Sequence, residues 1–594
     1  MAMGSPKHLA ITIAGAVSLG SYEAGALYEL LEAIRQHNQQ VEREQEGQPI
    51  QVDVLTGASA GGMTATILAQ KLLFDGPSFV DAEGNSSPWK NPLYETWVER
   101  ITLDGLLDSE DRPIAEGGDP ALLSVLSSQL IESIAQEKLL ADVQDGAIVD
   151  RGAHAAIGPE GEIRLGMALT NLTGINYGLP MLGGGAFQYT RFEDSLRRKL
   201  TRSDRSVETW QQAAAAAVAS GAFPVAFRTK DLTRDHADYA AQQPLGWSEG
   251  ARQFNYSDGG ILQNQPLGMA KELMDDADGH QHSEERFYLF VSPNPMSDQV
   301  DATLNENNVN MVRVLGRIGS VYMGQAMFQD WVEADAVNAR VARLDAQARQ
   351  LADSLASGTM TEAELASRTA SHAALLQLLY PPQGLQPVGS LLPGDAETQA
   401  QAATRLQRQY AAELAQVGGA DSAAGQLLLS GIQVLERSAG LGEMDFMQIY
   451  GVVIDPGKLA GAGIAAFVGF FDESYRRHDY ECGRERVQAL IAQMNADAAA
   501  PAEGRLAKER LDGQLGPIHY TPVPVQINHT LDGLHLNQIR REDVQTLKEG
   551  LTRRVNQILT HELTNPVERY PAQWGADLAM GVVLNWEFSR AVQG

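Results

Sequence analysis

Val52-Asp53-Val54-Leu55-Thr56-Gly57-Ala58-Ser59-Ala60-Gly61-Gly62 reads as a short apolar strand, a tight turn carrying one serine, and the start of a helix predicted over residues 60–73. Gly-x-Ser-x-Gly between a strand and a helix is the nucleophile-elbow pattern. Small residues are needed there because the turn is strained and flanking side chains would keep an acyl group from the serine oxygen. The helix beginning at Ala60 points its free N–H groups and positive end at Ser59, which favours developing negative charge. In a chain with 57 glycines the five residues alone describe a loop equally well. The strand before them and the stripe Met63, Ile67, Leu68, Leu72 after them favour the elbow. The stretch implies acyl-transfer chemistry at Ser59, provided that a base exists elsewhere.

Toward the N-terminus, Leu9–Ala14 reads as a buried strand bounded by Gly15. A helix is predicted from Gly20 to about His37, with Leu27, Leu30, Leu31 and Ile34 on one face, and residues 36–51 as a polar surface connection. Strand, loop, helix, strand, elbow, helix is an alternating β-α pattern, so a parallel sheet covered by helices is expected. The loop Gly15–Gly20 lacks Gly-x-Gly-x-x-Gly and no Gly-Lys-Ser/Thr follows, which argues against a nucleotide fingerprint. A strand-to-helix loop with exposed N–H groups beside an elbow is what an oxyanion hole requires.

Toward the C-terminus, residues 76–118 are rich in Pro, Gly, Asn and acidic side chains and form a candidate lid. Residues 166–172 read as a strand followed by glycine-rich loops to Gly185, and 207–220 as an alanine-rich helix stopped by Gly221. Arg191, Arg197, Arg198, Lys199, Arg202 and Arg205 read as a solvated helix face in preference to a phosphate-binding patch. Strands are predicted at 254–257, ending in Asp258-Gly259-Gly260, and at 287–291. From about residue 300 the pattern turns helical, with Val337, Val341, Leu344, Ala348 and Leu351 on one face and helices continuing to about Leu441. A strand at 448–454, a helix at 467–494 and another around 545–562 complete the reading.

With 594 residues the chain is long enough for about two to four domains or one enlarged one. The net charge of -29 argues against nucleic acid, which needs a basic surface, and against general adhesion to anionic membranes. The single cysteine, Cys482, excludes an intramolecular disulfide and reads as a packing residue. No apolar run reaches the ~18 residues of a membrane span; the longest candidate, Leu459–Phe471, is short and broken by glycine. Leu9–Gly20 reads as a core strand in preference to a signal segment, so a cytoplasmic location is expected. Nothing in the pattern specifies an oligomer.

A free serine is a poor nucleophile and needs a base. Among the 12 histidines, His236 lies in a polar loop, and His280 and His282 stand in Asp-Gly-His-Gln-His without zinc spacing. Asp258, in an acidic turn at a strand end, is the better candidate, which points to a two-residue site without metal or cofactor.

These residues resemble the patatin-like phospholipases. The resemblance rests on the glycine loop Ala14–Gly25, the elbow Gly57–Gly61, and Asp258-Gly259-Gly260. Three further patches are similar: Ala168-Leu169-Thr170-Asn171-Leu172, Ala219-Ser220-Gly221-Ala222-Phe223-Pro224 and Asn264-Gln265-Pro266-Leu267. Six patches in order cover residues 7–295, and Phe470-Phe471-Asp472 to Gly483-Arg484 is similar to the C-terminal part of longer bacterial patatin-related proteins. The resemblance implies a three-layer α/β/α hydrolase core with a mainly parallel sheet, here followed by a large, mostly helical C-terminal region. It implies a Ser59–Asp258 dyad, an oxyanion hole from backbone N–H groups around Gly15, Ala16, Val17 and Ala60, turn glycines Gly57, Gly61 and Gly259, and hydrolysis of lipid acyl esters at a transiently contacted membrane or micelle surface. Two features depart from the family. Ala16 and Val17 replace glycines, and since a β-branched residue avoids φ > 0, the loop is expected to hold Val17 in the β region. Leu19 stands where the family carries Arg or Lys, which favours neutral esters over phospholipids. Rival readings are an acyltransferase and a degenerate hydrolase acting as an interaction protein. The expected division is a catalytic domain over 1–300 (lid 76–120), a helical region over 301–445, and a mixed α/β region over 446–594 packed on the core.

Overall fold

A computed structural model describes residues 4–107, 124–180, 186–224, 226–277, 285–293, 311–379, 404, 406–439, 447–499, 514–534 and parts of 545–556. The apolar strands β1 (Lys7–Ile13) and β2 (Ile50–Gly57) pair in parallel and start an eight-stranded sheet. The other strands are β3 (Glu162–Pro180), β4 (Ala186–Thr201), β5 (Lys230–Asp235), β6 (Ala251–Asp258), β7 (Arg286–Ser292) and β8 (Ile449–Val453). Their order is β8-β7-β1-β2-β3-β6-β5, with β4 paired to β3 off this path. The pairs from β8 across to β3 are parallel, while β3–β4, β3–β6 and β5–β6 are antiparallel. The sheet is mixed and mostly parallel, flanked by helices.

Side-chain alternation along the strands feeds two layers. Leu9, Ile11 and Ile13 of β1 and Phe287, Leu289 and Val291 of β7 join one large core with α1 (Gly20–Glu44), α2 (Ala60–Phe74), α3 (Ser128–Leu139) and α4 (Val207–Ser220). The intervening Ala10 and Tyr288 face the opposite side, where α5 (Leu267–Ala277) and Ala334 of the long helix α6 (Met311–Ala356) pack. A separate core, formed by Val337, Val341, Leu344, Leu414, Leu428 and Ile432, joins α6 to the short helix Ala411–Gln416 and α8 (Ala423–Ser438); α7 (Glu362–Leu379) precedes them in the chain. The described residues after 310 are therefore largely helical, and the chain returns to the sheet at β8.

Three sequence expectations are corrected. Helix α1 continues through the polar stretch to Glu44, because Asn38 hydrogen-bonds Ile50 and Ala155 while His37 and Val41 are buried. Residues 173–180 of the expected glycine-rich loops are strand, since β3 and β4 pair beyond a bulge, with Ile175 opposite Arg191 and Leu179 opposite Phe187, and 181–185 lie outside the described residues. The basic cluster, expected on a helix, lies on and just after β4, where Arg197 pairs with Glu272, Lys199 with Glu162 and Arg202 with Asp150. Of the candidate lid, residues 76–107 place Phe79, Leu93, Trp97 and Val98 in the main core, and 108–120 lie outside the described residues. His280, His282 and Leu441 also lie outside them.

Helix α9 (Glu473–Ala499) crosses α1 at two glycines. A Cβ on Gly25 would lie 1.9 Å from the Tyr480 carbonyl oxygen, and one on Gly483 would lie 2.1 Å from that of Tyr22. Only backbone atoms stand there, so relief requires the helices to separate. Gly25→Ala is expected to cost ~1–3 kcal/mol or more, read as a lower urea midpoint; an unchanged midpoint would show that the crossing is soft.

Candidate active site

Ser59 caps α2 with φ 53° and ψ -126°, a left-handed backbone that is strained for a residue with a side chain. The turn is locked from several sides. Its N–H donates to the Ser220 hydroxyl at 3.0 Å, and that hydroxyl donates to the Ala168 carbonyl at 2.8 Å. A Cβ on Gly57 would sit 2.3 Å from the Gly61 carbonyl oxygen, and one on Gly61 would sit 2.3 Å from that of Ile13. Both elbow glycines are therefore required by close backbone approach.

Asp258 ends β6, only 2% exposed. Its Oδ2 accepts the Ser59 hydroxyl at 2.6 Å and its Oδ1 accepts the Gly260 N–H at 2.7 Å. The backbone carbonyl of Asp258 accepts the Thr170 hydroxyl at 2.8 Å, and a Cβ on Gly259 would lie 2.0 Å from the Ala168 carbonyl oxygen. Burial pushes the Asp258 carboxyl up to about 7, against the downward pull of hydrogen bonds from Ser59 and Gly260. The pair thus sets a serine hydroxyl against a carboxyl that can exchange a proton near neutral pH.

The third part is the loop between β1 and α1. Gly15 lies against the serine, since a Cβ there would be 3.1 Å from the Ser59 Cβ and 2.2 Å from the Asn264 Oδ1. Val17 overturns its sequence expectation: it sits at φ 51°, in the left-handed region and not the β region. A β-branched residue keeps such a backbone at a cost of ~1–3 kcal/mol only where its surroundings dictate it. Among the described residues no acceptor meets the N–H groups of Ala16, Val17 or Ala60. Ala60 follows the half-buried Ser59 directly, and Ala16 and Val17 belong to the loop that Gly15 brings against it.

Residues 11–271 match the family model described as patatin-like phospholipase. This stretch is a patatin-like phospholipase domain. The patatin-like match runs from within β1 into the first part of α5, and so holds the elbow, the acidic turn and the glycine loop. An uncharacterized protein, y4iI, of Sinorhizobium fredii (strain NBRC 101917 / NGR234) is 26% identical over 367 residues, 48% of this chain and 49% of its own length. The chain thus spans about half the length of that curated relative.

The structure brings Ser59, Asp258, Gly15 and the turn glycines Gly57, Gly61 and Gly259 together, but Gly15, expected among the oxyanion donors, gives its N–H to the Asn264 carbonyl instead; the patches without an assigned role also find contacts. Ser220 anchors the elbow, Thr170 anchors the acidic turn, and Asn264 backs Gly15, whose N–H donates to the Asn264 carbonyl at 3.3 Å. Sequence reasoning missed the C-terminal contacts of the patatin-like loop. Leu19 is 4% exposed and lies under Gly461, with 3.0 Å from its Cδ2 to a Cβ placed there. The signal was present as the glycines of Leu459–Phe471, read only for membrane-span length. Among the described residues no group of three or more His, Cys, Asp or Glu is arranged to hold a metal ion, and no helix is long and apolar enough to cross a membrane.

Proposed function

We propose that this protein hydrolyses acyl esters of lipids through a Ser59–Asp258 dyad. The observation that carries the reading is the 2.6 Å hydrogen bond from the Ser59 hydroxyl to a buried carboxylate. In this scheme Ser59 Oγ attacks the ester carbonyl carbon while its proton passes to Asp258 Oδ2. The resulting oxyanion takes hydrogen bonds from the free N–H groups of Ala16, Val17 and Ala60, with the dipole of α2 adding to them. Collapse of the tetrahedral intermediate breaks the bond to the alkoxide, which leaves with the proton from Asp258. Water then attacks the acyl-serine with Asp258 as base, releasing the carboxylic acid and restoring the serine. The burial of Leu19 leaves no cation from that position, which supports neutral acyl esters ahead of anionic headgroups. The reading carries with it a cytoplasmic enzyme that meets its substrate at a membrane or micelle surface.

Asp258 must be unprotonated to serve as base. Its raised carboxyl predicts a kcat/KM that rises through about pH 7 and levels above it. A profile measured on a soluble ester checks this, and a flat response from pH 5 to 8 would contradict the assignment. Labelling of Ser59 by a fluorophosphonate, absent in Ser59→Ala, tests the nucleophile; an unlabelled, folded protein without esterase activity would overturn the reading.

A further inference from the structure

The strained loop is held from far along the chain. The Ser18 hydroxyl donates to the carbonyl of Ala466, itself at φ 64°, so one hydrogen bond links Ser18, the neighbour of left-handed Val17, to a second left-handed residue. Gly469 presses on the same serine, since a Cβ there would stand 2.6 Å from the Ser18 Oγ. Gly461 lies over Leu19 in the same way. The segment carrying these contacts is fixed in turn by α9. Asp479, wholly buried, accepts the Ala460 N–H at 2.7 Å and the Gly461 N–H at 2.9 Å on its two oxygens. Arg476 donates to the Gly469 carbonyl at 3.0 Å, and His478 Nε2 meets that of Lys458 at 2.9 Å. Backbone strain at a catalytic loop persists where the surroundings over-determine it, and here the contacts to Ser18 and Leu19 from Gly461, Ala466 and Gly469 come from outside residues 11–271.

We propose that the segment Lys458–Phe471, clamped by the first turns of α9, is a working part of the active site that holds the loop Ala16–Leu19 in the conformation aiming its N–H groups at the oxyanion, with Ser18 and Asp479 as positioning residues. The proposal rests on the reading of Ser59 and Asp258 as the catalytic pair. It accounts for both departures of this loop from its family. Val17 can occupy a glycine-like backbone because the clamp enforces it, and Leu19 replaces a cation because it is a packing contact for the clamp. Oxyanion donors act in the transition state and not on bound substrate, so loosening the clamp lowers kcat and leaves KM in place.

The test uses the full chain, a soluble p-nitrophenyl ester and a fluorophosphonate. Ser18→Ala removes the link to Ala466, and Gly469→Ala pushes a methyl against Ser18. Each is expected to lower kcat and the rate of Ser59 phosphonylation ~10-fold or more, with KM within about twofold and the melting temperature little changed. Asp479→Asn, which keeps one carbonyl acceptor, is expected to give the same kcat-selective loss. Adding Val17→Gly to Ser18→Ala should recover part of the lost kcat, because glycine holds φ 51° without strain. An unchanged kcat in Ser18→Ala and Gly469→Ala, a loss confined to KM, or a deeper loss on adding Val17→Gly would each overturn the clamp. Turnover that survives Ser59→Ala would instead overturn the dyad, so the two failures are distinct.

Discussion

Asp258→Asn is expected to lower kcat for ester hydrolysis by ~10²–10⁴ while the protein stays folded. Asparagine keeps a carbonyl oxygen for the Gly260 N–H, so the turn after β6 retains its hydrogen bond. It can donate to Ser59 Oγ but cannot accept the proton that Ser59 must lose. The rise of kcat/KM through about pH 7 should vanish with the carboxyl. Stability moves the other way. The folded-state value lies above the ordinary 3.8, so the contribution of this carboxyl is fully present below about pH 4 and is lost as pH rises through about 7. Asparagine carries no such dependence, so the variant should melt above the parent at pH 8 and close to it at pH 4. Turnover within tenfold of the parent would show that another group takes the proton.

Arg484→Met is expected to destabilise the protein by ~3–5 kcal/mol. The Arg484 side chain is fully buried between two carboxylates, donating to Glu29 at 2.8 Å and to Glu481 at 2.9 Å, with a third donation to the Val523 carbonyl at 2.8 Å. Methionine fills similar volume but leaves both carboxylates without their counter-charge. Glu29 keeps Gln488 and Tyr520, and Glu481 keeps Trp89 and the Gln526 N–H; these neutral donors cannot replace a cation. Arg484→Lys retains the charge without the planar fork and should fall between the two. Urea midpoints read the order, and a methionine variant as stable as the parent would show that the cluster is neutralised by other means. Since α9 carries Arg484, Asp479 and Arg476 on one helix, the methionine variant should also lose activity before it unfolds.

What was legible in the sequence was local. The elbow, the strand before it, the helix after it and the acidic turn each carry their geometry in a few adjacent residues, and all appear in place. The patches around Thr170, Ser220 and Asn264 were visible as text, yet their purpose is contact across the sheet, which no spacing reveals. The hairpin β3–β4 was hidden because Gly174, Gly178 and Pro180 carry turn chemistry that pairing overrides. The polar end of α1 was hidden because its burial depends on what Asn38 meets. Val17 was read by intrinsic preference alone, whereas its backbone is decided by packing from more than four hundred residues later in the chain, through Ser18 and Ala466.

The edge position of β8 has a consequence for the making of this protein. Ribosomes deliver Ser59 and Asp258 early, and β7 completes the N-terminal part of the sheet at Ser292. The strand that covers the open side of β7 begins only at Ile449. At a synthesis rate of 5–20 residues per second, roughly 10–30 s pass with a fully buried-to-be apolar strand exposed as an edge. Nascent chains should therefore need a holding chaperone during that interval, and expression of the N-terminal half alone should yield aggregates where the full chain yields none.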